Sequence, residues 1–252
     1  MTDTSVTLER EGDVAVLMIY NPPVNALSHH MRVALSARLN EAEADSEVRA
    51  IVIAAKGTMF CAGADVKQLN MPPQNPQSPD IFLRMASLTK PVVAAIHGAA
   101  LGGGFEMVLG ADIVIASTEA RFGLPEARVG RLPLDGGMVA LQRLIPRNIA
   151  AGLMMTGRML SAQEAAQFGL VNAVVPPDRL DAEVDAWVAD ILSCAPLSVA
   201  AIKDTIRSTA HLNPHEARDL RRPALIAALQ SEDSIEGVAA FREKRAPVWR
   251  GR

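Results

Sequence analysis

The chain has 252 residues, 49% hydrophobic and 21% charged, with a formal net charge of −3 and a pI near 6.0. That size and composition suit one substantial buried core with an appendage, or two modest domains. Lys and Arg are scattered among acids rather than striped, which argues against a nucleic-acid partner, and no run approaches the ~20 apolar residues of a membrane span.

The N-terminus, Met1-Thr-Asp-Thr-Ser-Val-Thr7, lacks the basic-then-apolar form of a secretory signal, so a cytoplasmic location is expected. Residues 14–19 and 50–54 read as buried strands, and between them Met31, Leu35 and Leu39 recur at helical spacing over residues 31–43. Cys61-Ala-Gly-Ala-Asp65 is a turn signal leading into a short helix, a place where free backbone N–H groups face outward. Cys61 and Cys194 are too few for a disulfide framework and have no partners at zinc-ligand spacing, so both are expected to be reduced and structural, with no metal site. Residues 71–79 hold four prolines and exclude regular helix or central strand; they fit a mobile lid over a pocket or a plain surface loop.

Residues 92–96 form a third buried strand, and His97-Gly-Ala-Ala-Leu-Gly-Gly-Gly-Phe-Glu106 follows it into a helix. Glycines without Cβ let a ligand approach the main chain, and the first N–H groups of a helix have no intrahelical acceptor. A dinucleotide fingerprint fails because its third glycine falls on Met107, and a phosphate loop fails because Gly104 stands where lysine is required. Glu106, between Phe105 and Met107-Val-Leu109, is placed where desolvation favours proton exchange near neutrality. Donors beside such a carboxyl suggest oxyanion chemistry; the plain alternative is a glycine-rich helix start used for tight packing. His97 reads as structural. Ser87-Leu-Thr-Lys90 matches a nucleophile pattern only by chance, because Lys90 precedes Pro91 and the partner motifs are missing.

A fourth strand covers residues 113–116, and Arg121-Phe-Gly-Leu-Pro-Glu126 then brings a second glutamate within a Gly/Pro-bounded turn. Ser161-Ala-Gln-Glu164 is a capping box opening a short helix closed by Gly169, which explains Glu164 as a helix-start residue. Residues 171–175 form a fifth strand, and from Asp178 the pattern is helical over residues 180–193, 197–208, 214–229 and 235–244. Alternating strands and helices predict an α/β layered core followed by a helical C-terminal segment.

Seven segments, in order and spacing, resemble the enoyl-CoA hydratase/isomerase, or crotonase, superfamily over nearly the whole chain. They are Asn21-Pro-Pro-Val-Asn-Ala-Leu27, Phe60-Cys-Ala-Gly-Ala-Asp65, Lys90-Pro-Val-Val-Ala-Ala-Ile-His-Gly98, Gly102-Gly-Gly-Phe-Glu106, Ala111-Asp-Ile113, Phe122-Gly-Leu-Pro-Glu126 and Phe241-Arg-Glu-Lys-Arg245. The resemblance implies a crotonase-like α/β spiral of ββα units, residues 1–190, holding a CoA-thioester site, and a helical trimerisation segment, residues 191–252. It further implies a homotrimer or dimer of trimers, an acyl-CoA substrate, and no cofactor beyond the coenzyme A of the substrate.

By the same resemblance, the N–H groups of Ala64 and Gly103 form an oxyanion hole for the thioester carbonyl, and Glu106 and Glu126 are the acid/base pair of a hydratase. Retention of both carboxyls favours addition of water over isomerisation, which needs a single proton relay. Ala62, Ala64 and Lys67 match positions near the coenzyme, and Phe241 and Lys244 resemble a pair that reaches the coenzyme of a neighbouring subunit. In Val129-Gly-Arg-Leu-Pro-Leu-Asp-Gly-Gly137 the chain departs from simple hydratases, which carry small residues where Leu134 and Asp135 stand. Asp135 either faces the acyl pocket, as a polar contact or an extra base, or caps the helix after Gly137. The C-terminal run from Ser231 looks like that of crotonobetainyl-CoA hydratase-type members, without fixing the substrate. An enoyl-CoA isomerase, or an acyl-CoA hydrolase or dehydratase, on the same scaffold is the alternative. A non-catalytic acyl-CoA-binding or RNA-binding relative would be expected to lose a glutamate or gain a basic surface, and this chain does neither.

Overall fold

The structure, a computed structural model, describes residues 5–65 and 79–252. Strands β1 (Ser5–Glu11) and β2 (Val14–Tyr20) form an antiparallel hairpin, and helix α1 (His29–Ala44) follows. Ser28 caps α1 by accepting from the N–H of Met31, which satisfies one orphan donor and turns Met31, Leu35 and Leu39 inward. Strand β3 (Ala50–Ala55), helix α2 (Ile81–Ser87), strands β4 (Val92–Ile96) and β5 (Ala99–Leu101) and helix α3 (Gly103–Val108) come next. They lead to β6 (Ile113–Ser117), β7 (Arg121–Gly123), a 3-10 turn (Glu126–Val129), α4 (Gly137–Leu144) and α5 (Arg147–Thr156). Strand β8 (Met159–Ser161), helix α6 (Ala162–Gln167) and strand β9 (Ala173–Val175) complete the sheets. A second 3-10 turn (Pro177–Arg179) opens α7 (Leu180–Leu192), then come α8 (Pro196–Thr209), α9 (Pro214–Asp219), α10 (Pro223–Gln230) and α11 (Glu232–Glu243).

The large sheet has the order β1-β2-β3-β4-β6-β9, parallel except for the β1–β2 pair. Both faces of its centre are covered, which is why β3 and β4 read as continuous apolar runs. One face joins the main core with Met31, Leu35, Phe60, Phe105 and Phe122. The other packs Val52, Val93 and Ile115 against Leu180, Val184 and Val188 of α7.

A second layer explains how distant segments meet. After β2, β3, β4 and β6 the chain bends and lays a short piece beside that of a neighbouring coil: Leu27 bridges Ala64, Cys61 bridges Ala100, and β5 pairs in parallel with β7. This coiling stacks the turn at Cys61–Ala64, the start of α3 and the segment after β7 on one side of the molecule.

The five strands read from the sequence are present, with β9 confined to Ala173–Val175. Strand β1 escapes the pattern because it is an edge strand bearing Glu9, Arg10 and Glu11, most of its positions only partly covered. The helix expected over residues 214–229 is two helices: Pro223 has no N–H to continue α9 and holds Arg222 extended (φ −84°, ψ 149°). No single helix among the described residues is long and apolar enough to cross a membrane.

Candidate active site

Gly63 makes the first half of the site. Its φ of +88° is accessible to glycine at no steric cost, and a Cβ there would lie 2.6 Å from Leu101 O and 3.0 Å from Gly103 N. The turn before Ala64 therefore rests directly on the start of α3. Its anchors are the Leu27 N–H to Gly63 O (2.7 Å), the Ala62 N–H to Val24 O (3.0 Å) and the Leu101 N–H to Cys61 O (2.8 Å). Buried Asn25 supports the same turn from below, donating through Nδ2 to the carbonyls of Lys56, Met59 and Phe60. These bonds leave the N–H of Ala64 and that of Gly103, the first residue of α3, without an acceptor among the described residues.

Glu106 lies in α3 and is 2% exposed, with Oε1 accepting the Gly137 N–H at 2.8 Å. Its pKa is raised to about 7, chiefly by burial, with the charges of Asp135 and Glu126 also raising it and the Gly137 hydrogen bond and Arg32 lowering it. Glu126 opens the 3-10 turn after Pro125, and burial likewise raises its pKa, helped by Asp135. Its Oε1 would stand 2.8 Å from a Cβ on Gly102, and its Oε2 is buried without a hydrogen-bond partner among the described residues. An unpaired, buried carboxylate oxygen facing a cleft is costly unless a ligand or water meets it there.

Ala62, Ala64, Gly103, Glu106, Glu126, Leu134 and Asp135, all named from the sequence, line one cleft of about 530 Å³. Asp135 does not cap the following helix: Gly136 is the N-cap of α4, and Asp135 Oδ2 is paired with Arg32 Nη2. Leu134 is 72% exposed at the rim. Lys67 lies outside the described residues, as do residues 71–78 of the proline-rich linker. Phe241, 85% exposed, and Lys244, the left-handed C-cap of α11, are not among the residues lining this cleft.

Sequence reasoning missed Arg32, which reaches the cleft from α1, 103 residues from its partner. Its only signal is an arginine directly after the inward-facing Met31. The dismissed candidates have structural partners: His97 Nε2 lies 3.1 Å from Gly57 O, Glu164 completes the capping box with Ser161, and Lys90 Nζ donates to Ala42 O and Asp45 O. Cys61 is free and buried, its thiol pushed up to about 12 by desolvation, and Cys194 is free and exposed. No group of three His, Cys, Asp or Glu side chains among the described residues is placed to hold a metal ion.

Two free N–H donors beside two carboxyls with raised pKa values can stabilise a developing oxyanion and exchange protons with an adjacent carbon or water. Residues 9–252 match the family model described as enoyl-CoA hydratase/isomerase. Carnitinyl-CoA dehydratase of Salmonella typhi is 36% identical over 258 residues, spanning 98% of this chain and 99% of that protein. The solved structure of enoyl-CoA hydratase from Bacillus anthracis superposes with a TM-score of 0.92 at 32% identity, over 98% of this chain and 100% of that one. That of enoyl-CoA hydratase from Mycobacterium tuberculosis H37Rv does so with a TM-score of 0.91 at 29% identity, over 99% and 100%.

Proposed function

The chain belongs to the enoyl-CoA hydratase/isomerase family, and from that premise we propose that it adds water across the 2,3-double bond of a 2-enoyl-CoA thioester. The observation that carries this reading is the pair Glu106 and Glu126, both raised in pKa and both facing the cleft that holds the Ala64 and Gly103 donors. The thioester oxygen accepts from those two N–H groups as it gains enolate character; losing one such donor typically costs ~3 kcal/mol. Water adds at C3, held and deprotonated by Glu106, while Glu126 delivers a proton to C2. The two carboxyls interact, so they titrate as a pair rather than singly.

The same machinery runs in reverse, removing water from a 3-hydroxyacyl thioester, and the likeness to a carnitinyl-CoA dehydratase supports including that direction. Addition of water is redox-neutral, and the backbone donors supply the charge stabilisation, so the proposal requires no cofactor beyond the substrate's own coenzyme A. Ala62 at the cleft wall and Lys67 are proposed to meet that coenzyme within the chain, and Phe241 and Lys244 to meet it across a subunit contact in a trimer. Apolar side chains left exposed on the C-terminal helices, including Ile202, Ile206, Leu229 and Ile235, support such an assembly.

Purified protein mixed with crotonyl-CoA and longer 2-enoyl-CoAs, followed by the loss of the conjugated thioester absorbance, tests the reading. Turnover is expected, with Glu106→Gln and Glu126→Gln each losing most of it while still binding CoA thioesters. No hydration at any chain length, or wild-type turnover in either variant, overturns it.

A further inference from the structure

Arg32 has no part in the proton transfers proposed above, yet its side chain is only 13% exposed and reaches the cleft wall. Its Nη2 pairs with Asp135 Oδ2, while its Nε and Nη1, and Asp135 Oδ1, have no hydrogen-bond partner among the described residues. A Cβ on Gly103 would lie 3.3 Å from Arg32 Nη2 and 3.6 Å from Asp135 Oδ2. The ion pair thus stands against the donor proposed for the thioester oxygen, and an acyl group seated there passes the pair within its first few carbons. The apolar lining is placed otherwise: Val129, Leu132 and Leu134 are 66%, 60% and 72% exposed and form the rim.

An unbranched alkyl chain against this pair strips water from guanidinium N–H groups and a carboxylate oxygen and returns no hydrogen bond. A hydroxyl returns both, accepting from Arg32 and donating to Asp135. The charged lining is mixed, Arg32, Arg128 and Arg131 with Glu106, Glu126 and Asp135, so neither a carboxylate nor a quaternary ammonium substituent meets a field of one sign, and no aromatic ring of the kind that cages such cations lines the cleft among the described residues.

Deepening the hydratase reading and resting on it, we infer that the Arg32–Asp135 pair selects acyl groups bearing a hydroxyl at C4 over plain alkyl chains. Sites built to hydrogen-bond a hydroxyl discriminate strongly against analogues that lack it, because their own polar groups are left unpaired.

The test is calorimetric binding of saturated thioesters, which cannot be hydrated: 4-hydroxybutanoyl-CoA, butanoyl-CoA, octanoyl-CoA and 4-trimethylammoniobutanoyl-CoA. The hydroxylated thioester is expected to bind about 10-fold or more tightly than the other three. The double variant Arg32→Leu/Asp135→Leu, checked for fold by circular dichroism, is expected to lose that preference and to favour octanoyl-CoA. Equal affinities in the wild type, tightest binding of the octanoyl or the cationic thioester, or a folded variant that keeps the wild-type ranking overturns the inference. The wild-type ranking decides the matter even if the double variant does not fold. Absence of turnover on enoyl-CoAs with the ranking intact counts against hydration alone, and turnover with equal affinities counts against the selector alone.

Discussion

Replacing Glu106 by Gln is expected to sacrifice activity and raise stability, and the two effects have one cause. In the folded protein burial lifts this carboxyl from the usual 4.5 to about 7. Between those values the folded state holds a proton that the unfolded chain has released, so stability falls as pH rises from about 4.5 through about 7. At 1.36 kcal/mol per pKa unit the loss above pH 7 approaches about 3 kcal/mol, an upper figure because Glu106 shares its field with Glu126 and Asp135. Glutamine keeps an oxygen to accept the Gly137 N–H, fills nearly the same volume and carries no charge to desolvate. Urea unfolding or thermal melts should show E106Q close to wild type below pH 4.5 and more stable at pH 8 by about 1–3 kcal/mol. Turnover of enoyl-CoA should drop by about 10²–10⁴, the usual contribution of a positioned acid or base. A stability gap independent of pH, or a variant less stable than wild type at pH 8, would show that desolvation of the Glu106 charge does not set this stability.

Gly63→Ala forces a side chain into a left-handed position with a contact of 2.6 Å to Leu101 O and displaces the Ala64 turn from Gly103; kcat on enoyl-CoA should fall by about 10²-fold in steady-state assays. If Glu106 acts as the base, kcat/KM for the wild type decreases as pH drops through about 7, and Asp135→Asn moves that limb to lower pH. The sign follows because Asp135 opposes ionisation of Glu106 while Arg32, freed from its partner, favours it; a limb that stays in place or moves upward counts against the assignment. Lys203, 8% exposed in α8, donates to Asp112, Lys90 O and Met85 O; Lys203→Met removes the cation beside Asp112, which keeps the Val92 N–H, and takes the donor from Lys90 O, and should cost about 1–2 kcal/mol in urea unfolding. Analytical ultracentrifugation should find a trimer or a dimer of trimers, and a monomer at micromolar concentration would remove the proposed role of Phe241 and Lys244.

The central strands and the glycine-to-helix segment were legible because both-face burial and glycine clusters leave strong local marks. Strands β5, β7 and β8, at three residues each, are too short to show a period, and they exist only because neighbouring coils lay backbone beside them. Glu106 and Glu126 stood out as carboxyls inside apolar or Gly/Pro-bounded segments. That they share a cleft follows from the β5–β7 pairing, which no local pattern reveals. Arg32 was hidden for the same reason: on α1 it reads as an ordinary helix arginine, and only the fold brings it to Asp135. Asp135 itself was visible as a departure, but its position before Gly136-Gly137 suited a helix cap equally well until the structure placed the cap one residue later.

The proposed reaction adds water to carbon 3 of a 2-enoyl-CoA thioester under the control of Glu106 and Glu126. Incubation of the protein with crotonyl-CoA in ¹⁸O-labelled water, followed by mass spectrometry of the products, tests it directly. One ¹⁸O is expected at C3 of 3-hydroxybutanoyl-CoA, with the thioester intact and incorporation lost in Glu106→Gln and Glu126→Gln. Label in a free carboxylate released from coenzyme A, or no label in the thioester, would contradict it.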